Sequence, residues 1–226
     1  MVNESPQENR PSNERLEKEI VHSLRKVLHS EMTLVDVNAN KGEWLLHSSK
    51  IIKKGIIYAL EPEPTNFTEL KSNCHRWMRL FDNKVSMYAL PIAISEKVNV
   101  ARPNMAGSSA SLNKAGLDIN SDPYELDTLF EPINPDLIKI TNANGKELTI
   151  LKGARNILAK GRTKFLIEAN EWPDCDGQNS LLELHNFMRS FGYYPRKIHS
   201  WTLFVNRKKS LLSRVKKIGR RLLIGS

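Results

Sequence analysis

The chain is poor in cysteine: Cys74 and Cys175 are the only two in 226 residues, and no CxxC pair occurs. That usage excludes a disulfide framework and a cysteine zinc site, and it predicts a cytoplasmic protein whose cysteines are ordinary small residues in or near the core. No metal site is expected. Long apolar runs are also missing. Without eighteen consecutive apolar residues, no transmembrane helix is predicted. The opening stretch MVNESPQENRPSNER lacks the charged-then-apolar layout of a secretory signal. Neither GxGxxG nor GxxxxGKS/T occurs, which leaves dinucleotide and P-loop nucleotide readings weak.

Charge is unevenly distributed. The net charge is +9, but residues 207–226 hold eight Lys and Arg and no acid, so the rest of the chain stands at only +1. Attraction to polyanions is therefore a property of the tail. Within it Leu211, Val215, Ile218 and Leu222 fall on one helical face, with most of the cations elsewhere. This pattern suits peripheral attachment to an anionic membrane surface, with nucleic acid a weaker partner. The tail has no aromatic residue, which weakens both membrane anchoring and base stacking.

With 40% hydrophobic residues, the chain can bury a core of its own. Residues 1–12 are polar and read as disordered. Between residues 13 and 31, Leu16, Ile20, Val21, Leu24, Val27 and Leu28 recur at helical spacing and predict an amphipathic helix. Strands follow at Met32–Val37, Gly55–Leu60 and Val85–Leu90, with a further extended stretch over Ile92–Val100. Helices are predicted at Glu43–Lys53 and from Pro64, whose missing N–H costs nothing in a first turn. The Pro64 helix carries Phe67, Leu70, Cys74 and Trp77 on one side. Strand Leu137–Thr141, helix Lys146–Leu158, strand Lys164–Glu168 and helix Ser180–Phe191 continue the alternation. Tyr194–Ile198 and Thr202–Val205 predict a closing hairpin. Such alternation implies an α/β fold, a doubly wound and mostly parallel sheet over residues 32–206 with a C-terminal antiparallel hairpin. The octets DVNANKGE and ITNANGKE look alike, but shared turn preferences after a strand account for both.

The segment Thr33 to Trp44, TLVDVNANKGEW, runs from a strand through a tight turn into a helix. In doubly wound sheets a ligand meets the carboxyl ends of the strands at such a place. Small residues let the backbone approach closely, and a helix N-terminus offers unpaired N–H groups. Asp36, at the strand end, is placed to organise the turn or to reach a cationic part of a ligand. The second strand ends in Ala59-Leu60-Glu61-Pro62, about twenty residues after the turn. Rossmann-like folds hold a ribose diol with an acid at this position, because a carboxylate accepts two hydroxyl hydrogen bonds.

The runs VDVNANKGEW, IYALEPEPTNFTELKSNC, AISEKV, SSASL, LDTL, DLIKI, KELTILKGA and FLIEA occur in this order. Together they resemble the FkbM family of class I S-adenosylmethionine-dependent methyltransferases over about residues 32–206. The resemblance implies a seven-stranded Rossmann-like sheet, S-adenosyl-L-methionine as cofactor, and O-methylation of a hydroxyl on a glycan or small metabolite. It implies that Asp36 and the turn Asn38, Asn40 and Gly42 face the methionine end of the cofactor. By the same resemblance Glu61 and Pro62 face the ribose, and Ala93, Ile94 and Ser95 the adenine.

Two departures from the family pattern stand out. Asn replaces the usual glycine at position 38, and Asn tolerates positive φ better than most residues. After Ile140 the usual Asp-Val-Glu-Gly becomes Thr141-Asn142-Ala143-Asn144-Gly145, one residue longer and without either acid. Thr141 and Asn142 then border the methyl group, and Asn cannot take a proton from an alcohol. Glu168 and Glu171 are candidate substitutes, with His75 and His199 weaker ones. Two readings stay open: a methyltransferase, or a catalytically degenerate fold that binds the cofactor or serves as a scaffold.

Overall fold

The computed structural model describes residues 21–81, 84–96, 123–141, 143–168, 181–198 and 200–207. The expectations for residues 1–12, the first part of the 13–31 helix, SSASL, Asn142, Glu171, Cys175, His199 and the tail from 208 onward lie outside these. No helix among the described residues is long and apolar enough to cross a membrane.

Seven strands form one sheet: β1 (Glu31–Val37), β2 (Lys54–Leu60), β3 (Lys84–Leu90), β4 (Leu137–Ile140), β5 (Lys164–Ile167), β6 (Tyr193–Ile198) and β7 (Trp201–Asn206). Their order is β3-β2-β1-β4-β5-β7-β6, with β1 to β5 parallel and β7 antiparallel to both of its neighbours. This is the mixed, doubly wound sheet that the alternating pattern predicts. The chain leaves β1 towards β3 and then returns to β4 on the other side of β1, so the order reverses there. A crevice at the carboxyl ends of the strands is the expected outcome of such a reversal.

Side chains alternate across the sheet, which explains the two cores. Val35, Val37, Tyr58, Leu60, Ile138, Ile140, Phe165 and Ile167 face one way. They pack against α3 (Leu126–Phe130), α4 (Glu147–Lys152), α5 (Arg155–Lys160) and α6 (Leu181–Ser190). Leu34, Ile57, Leu137, Leu166 and Leu203 face the other way, under α1 (Glu43–Ser49), α2 (Pro64–Leu80) and residues 21–28. Cys74 is buried in this second core, and burial pushes its thiol up to about 12, as suits an inert packing residue.

Four sequence expectations need correction. The helix before Met32 gives way after Leu24 to a turn, so it does not reach residue 31. The helix at Glu43 stops at Ser49, where the Ser48 and Ser49 hydroxyls turn back to the Trp44 and Leu45 carbonyls. Residues 92–96 form no strand; Ile94 makes only an isolated bridge to Tyr124. Finally, the single helix expected over 146–158 is two. It breaks at Gly153, where a Cβ would lie 2.6 Å from the Ser95 carbonyl oxygen. The Asp127 carboxylate then caps the second half, accepting from the N–H groups of Asn156 at 2.7 Å and Ile157 at 2.9 Å. That cap sits on α3, a helix the apolar pattern does not reveal.

Candidate active site

The register brings five strand ends to one crest. Val37 pairs with Leu60 and with Ile140, Leu60 with Leu90, and Ile140 with Ile167. The segments starting at 38, 61, 91, 141 and 168 therefore emerge side by side. The antiparallel β7 begins there too, since Ile167 pairs with Thr202.

The turn after β1 is built from left-handed residues: Asn38 at φ 56°, Asn40 at 52° and Gly42 at 86°. Asn at 38 thus adopts the conformation for which glycine is the usual choice. The Ala39 N–H donates to the Leu60 carbonyl at 2.9 Å, tying the turn to the end of β2. Helix α2 holds it from below through Asn73, which donates to the Lys41 carbonyl at 2.9 Å, and through the Lys41–Glu69 ion pair. Gly42 is packed so closely that a Cβ would lie 2.8 Å from Leu70 and 3.0 Å from the Trp77 ring. Gly42→Ala is expected to cost about 1–2 kcal/mol from its positive φ and this overlap. Urea denaturation checks it, and a neutral result would mean that α2 yields freely.

Glu61 is buried at the tip of β2. One carboxylate oxygen accepts from the Asn40 N–H at 2.7 Å and the other from the Glu63 N–H at 3.0 Å. Each oxygen keeps a further lone pair, so the group both braces the turn and remains able to accept two hydroxyls. Pro62 is exposed beside it, and Ala93 is half-buried. Ile94 is buried in the first core, and the flanking Ala93 carbonyl and Ser95 N–H pair with Tyr124.

On the other side of the same turn lies a cleft of about 210 Å³. It is lined by Asn38, Ala39, Asn40, Glu43, Trp44, Lys139, Thr141, Glu168 and Trp201. Of the residues singled out in the sequence, Asn38, Asn40, Thr141 and Glu168 meet here. Asp36, Gly42, Glu61, Pro62, Ala93 and Ile94 do not line it, and His75 is exposed on α2. Glu168 is half-buried, its N–H donating to the Ile140 carbonyl at 3.0 Å.

Asp36 reaches a cation, but one belonging to the protein. Its carboxylate is fully buried and pairs with Lys139 Nζ at 2.7 Å, an outcome of the β1–β4 register that sets the two residues opposite each other. Lys139 also donates to the Thr141 hydroxyl at 2.7 Å and lies over the Trp44 ring, 5.1 Å from its centroid. Burial raises the Asp36 carboxyl above its ordinary range, and Lys139 opposes that rise. Lys139 is the main residue that sequence reasoning passed over. Its signal was a lysine inside LIKI, a strand buried at every position.

Glu147 was missed as well. It follows the altered loop, where Asn144 and Gly145 carry φ of 49° and 85°. The residue is 1% exposed, and one carboxyl oxygen has no hydrogen-bond partner among the described residues. Desolvation pushes its carboxyl up to about 7; N–H groups of Glu147 and Gly145 oppose this, and the charge of Glu168 adds to it.

The family model for the methyltransferase FkbM domain matches residues 36–195. No curated protein matches the chain. Among solved structures, precorrin-6y C5,15-methyltransferase from Geobacter metallireducens GS-15 is similar at 15% identity and TM-score 0.48, over 88% of this chain and 90% of that one. An S-adenosylmethionine-dependent methyltransferase from Aquifex aeolicus is similar at 15% identity and TM-score 0.49, over 86% and 92%. Magnesium protoporphyrin IX methyltransferase from Synechocystis PCC 6803, solved with the cofactor bound, shares 4% identity at TM-score 0.47, over 88% and 85%. With its family pattern running from Asp36 on β1 into β6, the chain belongs to the FkbM family of S-adenosylmethionine-dependent methyltransferases.

Proposed function

We propose that the protein transfers a methyl group from S-adenosylmethionine to a hydroxyl of a glycan or small metabolite. The observation that carries this reading is the 38–42 turn, which bonds to Glu61 on one side and walls the cleft on the other. Glu61 suits the cofactor's ribose, because its two oxygens retain lone pairs after accepting from Asn40 and Glu63. When bound, the cofactor supplies an electrophilic methyl on a sulfonium. The turn would hold that end of the molecule beside the cleft, and in-line positioning would provide much of the rate acceleration. Thr141 is engaged by Lys139, so Glu168 is the lining carboxylate beside the β4 tip able to take the hydroxyl proton.

Calorimetry with S-adenosylhomocysteine tests the reading. The protein is expected to bind it, and no binding by the intact chain rejects the proposal. Glu61→Ala is expected to weaken binding roughly tenfold, whereas Glu168→Ala changes it by about twofold or less. Equal losses count against the ribose assignment. Binding without turnover on any hydroxyl acceptor points to the scaffold reading, which the acid-free 141–145 loop favours.

A further inference from the structure

The parallel strands aim their carboxyl ends at the crest, and their first residues form an opposite edge of different charge. Lys54, Lys84 and Lys164 begin β2, β3 and β5. The register sets Glu31, Lys54 and Lys84 in one row. Lys53, just before β2, and Arg162, just before β5, are exposed, as is Lys84. Strand β7 ends at this edge too, because it runs antiparallel to β5. Phe165 pairs with Phe204, and a Cβ on Gly161 would lie 2.8 Å from the Asn206 side chain. Arg207, the first cation of the basic tail, therefore leaves from the same edge, its guanidinium 4.3 Å from the centroid of the Tyr194 ring.

The acids here are already engaged. Glu31 holds Lys54 at 2.7 Å, Glu131 holds Lys160 at 2.7 Å, and Asp136 accepts from the Thr33 N–H at 2.7 Å. Lys53, Lys84, Arg162 and Arg207 form no ion pair among the described residues. A cation in the last turn of a helix answers the helix dipole, but a sheet has little net dipole to favour one at a strand start. The crest carries the opposite sign. Glu43, Glu61, Glu63 and Glu168 stand there, while Lys41 is held by Glu69 and Lys139 by Asp36. The seven residues of β1 put about 20 Å between the two ends, well beyond the Debye length of about 8 Å at physiological salt. The charge of +1 outside the tail is thus a sum over two ends that do not screen each other.

We propose that this edge is a docking face for an anionic lipid surface, made by Lys53, Lys84, Arg162 and Arg207 together with the cations of residues 208–226. Lipid is favoured over nucleic acid by the tail that leaves from it. Leu211, Val215, Ile218 and Leu222 recur there at helical spacing among the cations, and no aromatic residue is present to stack on bases. Cations spread along the starts of several strands suit dispersed phosphate headgroups, each adding a similar increment. In this orientation the acidic crest faces away from the lipid, and the cleft stays open to water.

The test sediments the full chain with vesicles of phosphatidylcholine alone, or with about one-third phosphatidylglycerol, at physiological salt. Binding is expected to the anionic vesicles only. Lys53→Gln/Arg162→Gln should weaken it at least about tenfold, at about fivefold for each cation near the surface. Lys146→Gln/Lys152→Gln makes the same change of net charge elsewhere: Lys146 follows the loop after β4, and Lys152 pairs with Glu96 beyond the tip of β3. It should weaken binding about twofold or less. No binding to the anionic vesicles, or equal binding to the neutral ones, overturns the proposal. Equal losses in the two double variants also overturn it, because the charge would then act as a net quantity rather than through this edge. A Lys53→Gln/Arg162→Gln protein that binds like the wild type leaves the tail as the lipid contact and removes the folded domain's part. A short DNA duplex bound more tightly than vesicles of equal phosphate content replaces lipid with nucleic acid as the partner.

Discussion

Lys139→Met is expected to destabilise the protein by about 3–5 kcal/mol, the range for removing one partner of a buried ion pair. The two side chains are 4% and 0% exposed, so neither charge is hydrated from outside. Methionine is close to lysine in volume and leaves little cavity. What it leaves is the Asp36 carboxylate, whose other oxygen already lacks a partner among the described residues. Burial already raises the Asp36 carboxyl, and loss of Lys139 raises it further. The folded variant then binds a proton that the unfolded chain releases near its ordinary 3.8, so its stability falls as pH rises from about 4 towards neutrality. Asp36→Asn/Lys139→Met, with no buried charge, is expected to recover most of the loss. Urea denaturation of the three proteins at pH 5 and pH 8 measures this directly. A loss below about 1 kcal/mol for the single variant, typical of exposed pairs, would show that the pair is hydrated in solution.

That pair also marks the boundary of what the sequence discloses. The spacing of Asp36 and Glu61 was legible because both follow apolar strand runs separated by one helix, a local pattern. The left-handed turn was legible from Asn-Ala-Asn, since Asn and Gly are the residues that accept positive φ. The partner of Asp36 was not, because Lys139 stands 103 residues away and is brought opposite only by β1 pairing with β4. Trp201 escaped notice for the same reason: the hairpin was legible, but not that β7 inserts beside β5 and delivers its first residue to the cleft. The split of α4 from α5 depends on a cap from Asp127 and on the approach of Gly153 to Ser95, both contacts between distant segments. Local periodicity therefore reported the elements, the 38–42 turn and the place of Glu61 at the tip of β2. The Lys139 and Trp201 sides of the cleft needed the register of strands far apart in the chain.

Glu147 gives the second large effect, on the pH dependence of stability. Its carboxyl stands at about 7 when folded and at 4.5 when unfolded, mainly because burial disfavours the charged form. A raised acid holds its proton longer in the folded state, so its stabilising contribution is complete below pH 4.5 and is lost as pH rises through 7. The difference corresponds to about 3 kcal/mol between pH 4 and pH 8. Glu147→Gln keeps a side-chain oxygen for the N–H groups of Glu147 and Gly145 but cannot ionise. It should match the wild type near pH 4 and exceed its stability by up to that amount at pH 8. Guanidinium titrations at half-unit pH steps would show the wild-type slope disappearing from the variant. A slope that persists unchanged would mean that Glu147 ionises in the fold as readily as in water. Because the charge of Glu168 adds to the rise, Glu168→Gln should end the wild-type slope at a lower pH and reduce the total loss of stability. That shortening would couple the carboxyl behind the 141–145 loop to the one lining the cleft.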